Sequence, residues 1–272
     1  MRILYLVIAS DDPIHIQDEN MQRNTWAFKK FNEVIWLRGG DETFFDESKQ
    51  TLFVKVPEKY ENILAKTILG IEWCIKNLDF DFLIRSNVST FFTPAKVHSY
   101  LAKLEENVNF FGGYLDFSKN ENSLKKETLF VNGGAFFLSR EAALTLSRME
   151  VDKWQGKPDD LAMSQFLISE GLKPTWIPRG NVANTGILTR KMYYRMKSSS
   201  NSNMATIRMM LLDKIIKTPF VARKIQIYFL FTLSEIRNFR KNHVNLGQYA
   251  LSLYALAQSK VSSKRLLRNF HG

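Results

Sequence analysis

The chain has 272 residues, 45% of them hydrophobic, one cysteine and a formal net charge of +11. This describes a globular protein with a sizeable core, and the lone Cys74 excludes an intramolecular disulfide framework and suits a reducing compartment. The charge is uneven: residues 1–184 hold 22 Lys and Arg against 25 Asp and Glu, whereas residues 185–272 hold 16 against 2, so a slightly acidic body carries a basic tail suited to a negative partner surface.

In chain order, Arg2–Ala9 reads as a buried strand, too short to span a bilayer and continuous with the fold in a way that a signal peptide is not. A helix is expected over Asn20–Phe31, and strands over Val34–Leu37 and Leu52–Val56. Leu64, Ile68, Ile71 and Ile75 fall on one face of Ile63–Asn77, the pattern of a core-facing amphipathic helix. The strand Phe82–Arg85 follows and runs into the polar cluster Arg85-Ser86-Asn87-Val88-Ser89-Thr90. Thr93-Pro94 supplies an N-cap and a first-turn proline, and Val97, Leu101 and Leu104 continue a helical stripe. Phe110–Leu115 and Ala135–Leu138 are strand-like. Pro158-Asp159-Asp160 opens a helix to about Glu170, with Gly171 as its stop and Pro174–Ile177 extended beyond it. There are no internal repeats and no heptads. The alternation predicts an α/β fold with a mostly parallel sheet flanked by helices, in residues 1–184, followed by a basic helical appendage in residues 185–272.

Ligands of open α/β sheets bind where strands end, so the polar cluster after Phe82–Arg85 is a site candidate; the plain alternative is an ordinary turn. Asp159 and Asp160 are either a catalytic carboxylate pair or acids placed to interact with a helix dipole. Gly133 and Gly134, beside Asn132, either shape a cleft or form a turn into a strand. Arg23 and Lys66 are phosphate contacts or solvated helix charges.

Five blocks in order, over roughly residues 20–180, resemble the β-1,3-galactosyltransferase and Fringe-like glycosyltransferases. Arg23-Asn24-Thr25-Trp26 resembles the R-x-T-W block; Glu58, Tyr60, Asn62-Ile63, Lys66-Thr67 and Trp73 resemble the next. Phe82–Phe91 falls on the strand that ends in a D-x-D cluster. Asn132-Gly133-Gly134-Ala135-Phe136-Phe137-Leu138-Ser139 resembles the Gly-Gly block, and Asp159-Asp160-Leu161 the E-D-V helix start. The resemblance implies a GT-A fold and inverting transfer of a sugar from a nucleotide sugar, expected to be a UDP-sugar, to an acceptor hydroxyl of a glycan or lipid-linked glycan. It implies Asp160 as general base with Asp159 in reserve. Ser10, Arg23, Lys66, Arg85, Asn87 and Ser89 are then donor contacts, with Ser10 at the nucleotide base, and Asn132, Gly133 and Gly134 acceptor contacts. Trp26, Tyr60 and Trp73 are core or cleft wall.

The chain departs from that family at Asn87-Val88-Ser89, which puts neutral oxygens where a divalent cation takes carboxylates. Weak or absent Mn²⁺ dependence is therefore expected, with fixed cations (Arg85, Arg23, Lys66, Arg190 or Lys191) neutralising the departing diphosphate. The alternative is that Asp11, Asp12 or Asp116 restores a carboxylate ligand. A catalytically inactive sugar- or nucleotide-binding protein is the competing class. Nucleic-acid binding is not expected, because no recognised motif is present and the body is acidic. In the tail, Ala205–Lys217 and Pro219–Arg240 form basic amphipathic patterns, which either lie on an anionic membrane or pack on the body. The expected location is cytoplasmic, with a peripheral position on the inner face of a membrane if the tail lies on one.

Overall fold

The computed structural model describes residues 1–28, 33–104, 109–118, 128–181 and 192–196, and the single positions 209 and 213. Four parallel strands form the centre: β1 (Ile3–Ile8), β2 (Val34–Gly40), β4 (Thr51–Lys55) and β5 (Phe82–Asn87). With β3 (Phe44–Asp46), β7 (Phe111–Ser118), β8 (Thr128–Ser139) and β9 (Pro174–Trp176) they make an eight-stranded sheet in the order β3-β4-β2-β1-β5-β8-β7-β9. The expected α/β sheet is thus present, with a mixed character: β3 and β8 pair antiparallel to their neighbours. A second, three-stranded sheet joins β6 (Thr90–Phe92), β10 (Gly180–Asn181) and β11 (Tyr193–Arg195).

Burial on both faces explains why the central strands read as unbroken apolar runs. In β1, Ile3, Tyr5 and Val7 enter one core while Leu4, Leu6 and Ile8 enter the other. Helices α2 (Ile63–Asn77), α4 (Arg140–Leu146) and α5 (Asp159–Ser169) pack together over the second core. Tyr5, Trp26 and Phe92 form an aromatic triangle in the first core, with ring centroids 5.0–5.3 Å apart. Burying each such side chain contributes about 1.5–3 kcal/mol.

Three boundaries differ from expectation for identifiable reasons. The first helix, α1, spans Pro13–Asn24 instead of Asn20–Phe31. Its start is marked by Asp12, whose side chain accepts from the Ile14 amide at 2.8 Å, and by Pro13 in the first turn. Its fully buried side chains are Asp18, Glu19 and Gln22, so apolar periodicity could not reveal it. Strand β5 continues past Arg85 because β1 pairs with it from Ile3↔Phe82 through Ile8↔Asn87. Helix α3 (Pro94–Leu101) stops short of Leu104, and Thr93 makes no side-chain cap bond.

Helix α5 ends as expected. Gly171 has φ +88°, its amide donates to Ile168 O and the Leu172 amide to Leu167 O, each at 3.0 Å, which satisfies two terminal carbonyls. From the basic segment, β11 pairs with β6, and Tyr193, Tyr194, Met196 and Met209 are buried in the first core. The expected helices at Ala205–Lys217 and Pro219–Arg240 lie outside the described residues apart from 209 and 213. Among the described residues no helix is long and apolar enough to cross a membrane.

Candidate functional site

The chain order of the parallel strands reverses at β1, which has β2 on one side and β5 on the other. A cleft of about 850 Å³ opens at the carboxyl ends of β1 and β5, the place where such a reversal leaves room for a ligand. Ser10, Lys66, Arg85, Asn87, Ser89, Asn132, Gly133, Gly134, Asp159 and Asp160 all line this cleft, whereas Arg23 and Asp116 do not.

The β1 end contributes Ser10, whose hydroxyl lies 2.6 Å from His15 Nδ1 and 3.3 Å from the Asp12 amide. Lys66 reaches the same end from α2. It is fully buried, donates to Ala9 O at 2.9 Å and forms an ion pair with Glu58. Burial pulls the Lys66 ammonium below its ordinary range, while Glu58 opposes that pull. Glu58 also accepts from the Gly39 amide at 2.5 Å, so the pair ties α2 to the ends of β1 and β2.

Arg85, on β5, is also fully buried. It donates to Gly133 O at 2.6 Å and to Asn87 Oδ1 at 3.1 Å, and it pairs with Asp159. Its charge is thus committed within the protein. Asp160 Oδ2 accepts from the Gly133 amide at 2.8 Å, and Oδ1 from the Leu161 amide at 2.9 Å. Burial, and next the Asp159 carboxylate, hold Asp160 above the ordinary aspartate range against the pull of those amides and of Arg85. The two acids at the start of α5 are therefore unequal: Asp159 is neutralised by a buried arginine, and Asp160 keeps a carboxylate of raised basicity at the cleft wall.

Gly133 does not need glycine for its backbone conformation, since the positive-φ glycines among the described residues are Gly156 and Gly171. It needs it for space. A Cβ at 133 would stand 3.0 Å from Arg85 Nη1 and 3.2 Å from Asp160 Oδ2, whereas one at Gly134 would meet Asn132 Oδ1 at an ordinary 3.4 Å. Asn132 Oδ1 accepts from the Gly134 amide at 3.1 Å and from Arg179 Nη1 at 2.8 Å.

Arg23, expected among the donor contacts, does not line the cleft. Its guanidinium lies 3.5 Å from the Trp36 ring centroid, pairs with Glu19 at 2.7 Å and donates to Thr51 at 3.3 Å, so it joins α1 to the sheet. The neighbouring Thr25 and Trp26 are structural too: Thr25 Oγ1 donates to Met21 O at 2.7 Å, and Trp26 is buried. Trp73 packs on Phe45, whereas Tyr60 stands exposed at the cleft rim. Arg190 and Lys191 lie outside the described residues.

The divalent cation implied by the resemblance does not fit the end of β5. Asn87 and Ser89 offer neutral oxygens, and Asn87 Oδ1 already accepts from Arg85. Asp11 and Asp12 line the cleft, but Asp11 pairs with Arg38 at 2.5 Å and Asp12 caps α1. Asp116 accepts from Asn132 Nδ2 at 3.4 Å. Among the described residues no group of three or more His, Cys, Asp or Glu is arranged to hold a metal ion.

Sequence reasoning missed Gln22. Fully buried, it donates from Nε2 to Val88 O at 2.7 Å, Thr90 O at 2.9 Å and Asn87 O at 3.3 Å, holding the turn after β5 from below. It missed the cleft residues His15, Asp18 and Arg195 as well. The one signal for α1 was Asp12-Pro13, a cap followed by a first-turn proline.

No protein-family model matches the chain, and no curated protein matches it. Solved structures resemble it at low identity. A glycosyltransferase involved in the glycosylation of the major capsid of PBCV-1 gives a TM-score of 0.49 at 7% identity, over 76% of this chain and 99% of that one. The galactosyltransferase LgtC, in complex with donor and acceptor sugar analogues, gives 0.48 at 10% identity over 82% and 98%. The inositol-1-phosphate CTP transferase from T. maritima gives 0.44 at 10% identity over 79% and 96%. All three scores lie below 0.5, so the functional reading of this chain rests on its own cleft residues.

Proposed function

We propose that this chain is an inverting glycosyltransferase that moves a sugar from a nucleotide sugar, a UDP-sugar by resemblance, to an acceptor hydroxyl of a glycan or lipid-linked glycan. The observation that carries this reading is the convergence of residues from four separate sequence blocks on one cleft, with the raised carboxylate of Asp160 held against Gly133. The five-block resemblance to the β-1,3-galactosyltransferase and Fringe-like enzymes supports it.

In this reading the reaction is one in-line displacement. The acceptor oxygen forms a bond to the anomeric carbon as the bond from that carbon to the diphosphate oxygen breaks. The hydroxyl proton passes to Asp160, and the electron pair leaves with the nucleoside diphosphate. An aspartate held above its ordinary pKa is a stronger base in its ionised form. Asp159, tied to Arg85, fixes the first turn of α5 so that Asp160 holds its place. The end of β5 lacks the donors for a divalent ion, so transfer proceeds without one or with only mild stimulation by Mn²⁺.

A panel of nucleotide sugars, assayed for hydrolysis and for transfer to sugar acceptors in EDTA and in Mn²⁺, tests this directly. Turnover of one donor in EDTA is expected. Complete loss in EDTA with recovery in Mn²⁺ overturns the metal-independent part. A second reading, a sugar- or nucleotide-binding protein without activity, is favoured by the neutral Asn87-Val88-Ser89 cluster; donor binding with no hydrolysis or transfer under either condition would establish it.

A further inference from the structure

A departing nucleoside diphosphate gains negative charge that the site must stabilise, commonly one of the largest catalytic contributions. Of the cations expected to do this, the three among the described residues are already engaged: Lys66 with Glu58, Arg85 with Asp159, and Arg23 with Glu19 away from the cleft. Two other cations line the cleft, Lys59 and Arg195, and neither forms an ion pair with a described residue. Lys59 is exposed at the rim. Arg195 is half-buried, and its backbone is fixed on both sides. It pairs with Thr90 across β11 and β6 and with Asn181 of β10, and the next amide, that of Met196, donates to Ser89 O at 2.9 Å.

That register sets Arg195 beside Ser89, at the strand end where neutral oxygens replace the acidic cluster. A second guanidinium lies close by. Arg179 stacks 3.9 Å from the Tyr114 ring centroid and is held by Asn132. Burial, and then the charge of Arg195, pull Arg179 below its ordinary range. Two neighbouring guanidiniums favour a multiply charged anion, and the planar fork of arginine takes two phosphate oxygens at once.

We propose that Arg195, with Arg179 behind it, is the fixed cation site for the diphosphate of the nucleotide donor, standing in for a divalent ion at the end of β5. This rests on the glycosyl-transfer reading. Arg195 contacts the diphosphate and stabilises the charge that develops as the bond to the sugar breaks. Arg179 is a positioning residue that adds positive potential through Asn132 and the cleft wall.

The test is calorimetric titration of the full chain with UDP, GDP, CDP and TDP, and with the matching nucleosides, in EDTA and in Mn²⁺. The expected result is that one diphosphate binds in EDTA and that Arg195→Gln weakens it about ten-fold or more while changing nucleoside affinity by less than about two-fold. Arg195→Lys, which keeps the charge and loses the fork, gives an intermediate loss and carries the test should Arg195→Gln melt early. Wild-type diphosphate affinity in both variants overturns the proposal and leaves the glycosyl-transfer reading in place. So does a diphosphate that binds only with Mn²⁺. Failure of all four diphosphates to bind wild type under either condition brings down the glycosyl-transfer reading, and this site with it.

Discussion

Asp159 and Asp160 are adjacent and chemically identical, yet their surroundings give them different tasks. Asp160→Asn keeps the size and removes the basicity, so transfer is expected to fall at least ~10²-fold while donor binding survives; full activity in that variant would remove Asp160 from the mechanism. The sign of the pH dependence follows from burial. The base works only when ionised, so kcat/KM is lost as pH falls through the raised pKa, and the acid limb should bend above the usual aspartate value of roughly 3.9. A bend at or below that value contradicts the assignment. Asp159 shows its role in stability instead. Asp159→Ala leaves the Arg85 guanidinium, with only 2% of its side chain exposed, without its ion-pair partner, which costs about 3–5 kcal/mol, whereas replacing both members by apolar residues of similar volume costs less. Urea midpoints of Asp159→Ala and of Arg85→Met with Asp159→Leu measure the difference, and equal losses would refute it. None of this division was legible in the Asp-Asp pair itself, because Arg85 is distant in sequence and meets Asp159 only once β5 and α5 are packed.

At the scale of elements, α1 departs most from what hydrophobic pattern predicts. Its inward face is polar because it supports a turn and a salt-bridge network: Glu19 receives both Arg23 and Arg38, and Gln22 clasps the carbonyls after β5. A helix that buries hydrogen bonds in place of apolar side chains leaves no 3.6-residue hydrophobic signal. Gln22→Ala strips one amide donor from three carbonyls, and each carbonyl left without a partner costs about 1–3 kcal/mol. Gln22→Glu, nearly isosteric, sets carboxylate oxygens against the same carbonyls and should lose more. Denaturant unfolding of the two variants checks the order; an unchanged midpoint in both would mean that the turn supports itself. By contrast α2 and the end of α5 were readable, since one buries an apolar stripe and the other stops on a glycine whose φ of +88° other residues rarely adopt.

For the molecule as a whole, the basic C-terminal segment is tied to the body at least through β11 and Met209. Truncation after Ser200 is expected to abolish binding to anionic liposomes, read by co-sedimentation at low and high salt. Unchanged binding would give the segment a packing role alone. Composition, the apolar runs of the central strands and the stripe of α2 determined by themselves an α/β protein with a sheet buried on both faces, because those features are local and periodic. Four of the five blocks likewise marked residues on the α2, β5, β8 and α5 sides of the cleft. Only the tertiary structure decided which charges are free to act. Lys66, Arg85 and Arg23 look alike in sequence as cations awaiting an anion, and each has its carboxylate already. Arg195 looks like one more charge in a basic tail, and the pairing of β11 with β6 brings it to the end of β5. Pairing of this kind joins residues far apart in the chain, and no local pattern of propensity or charge encodes it.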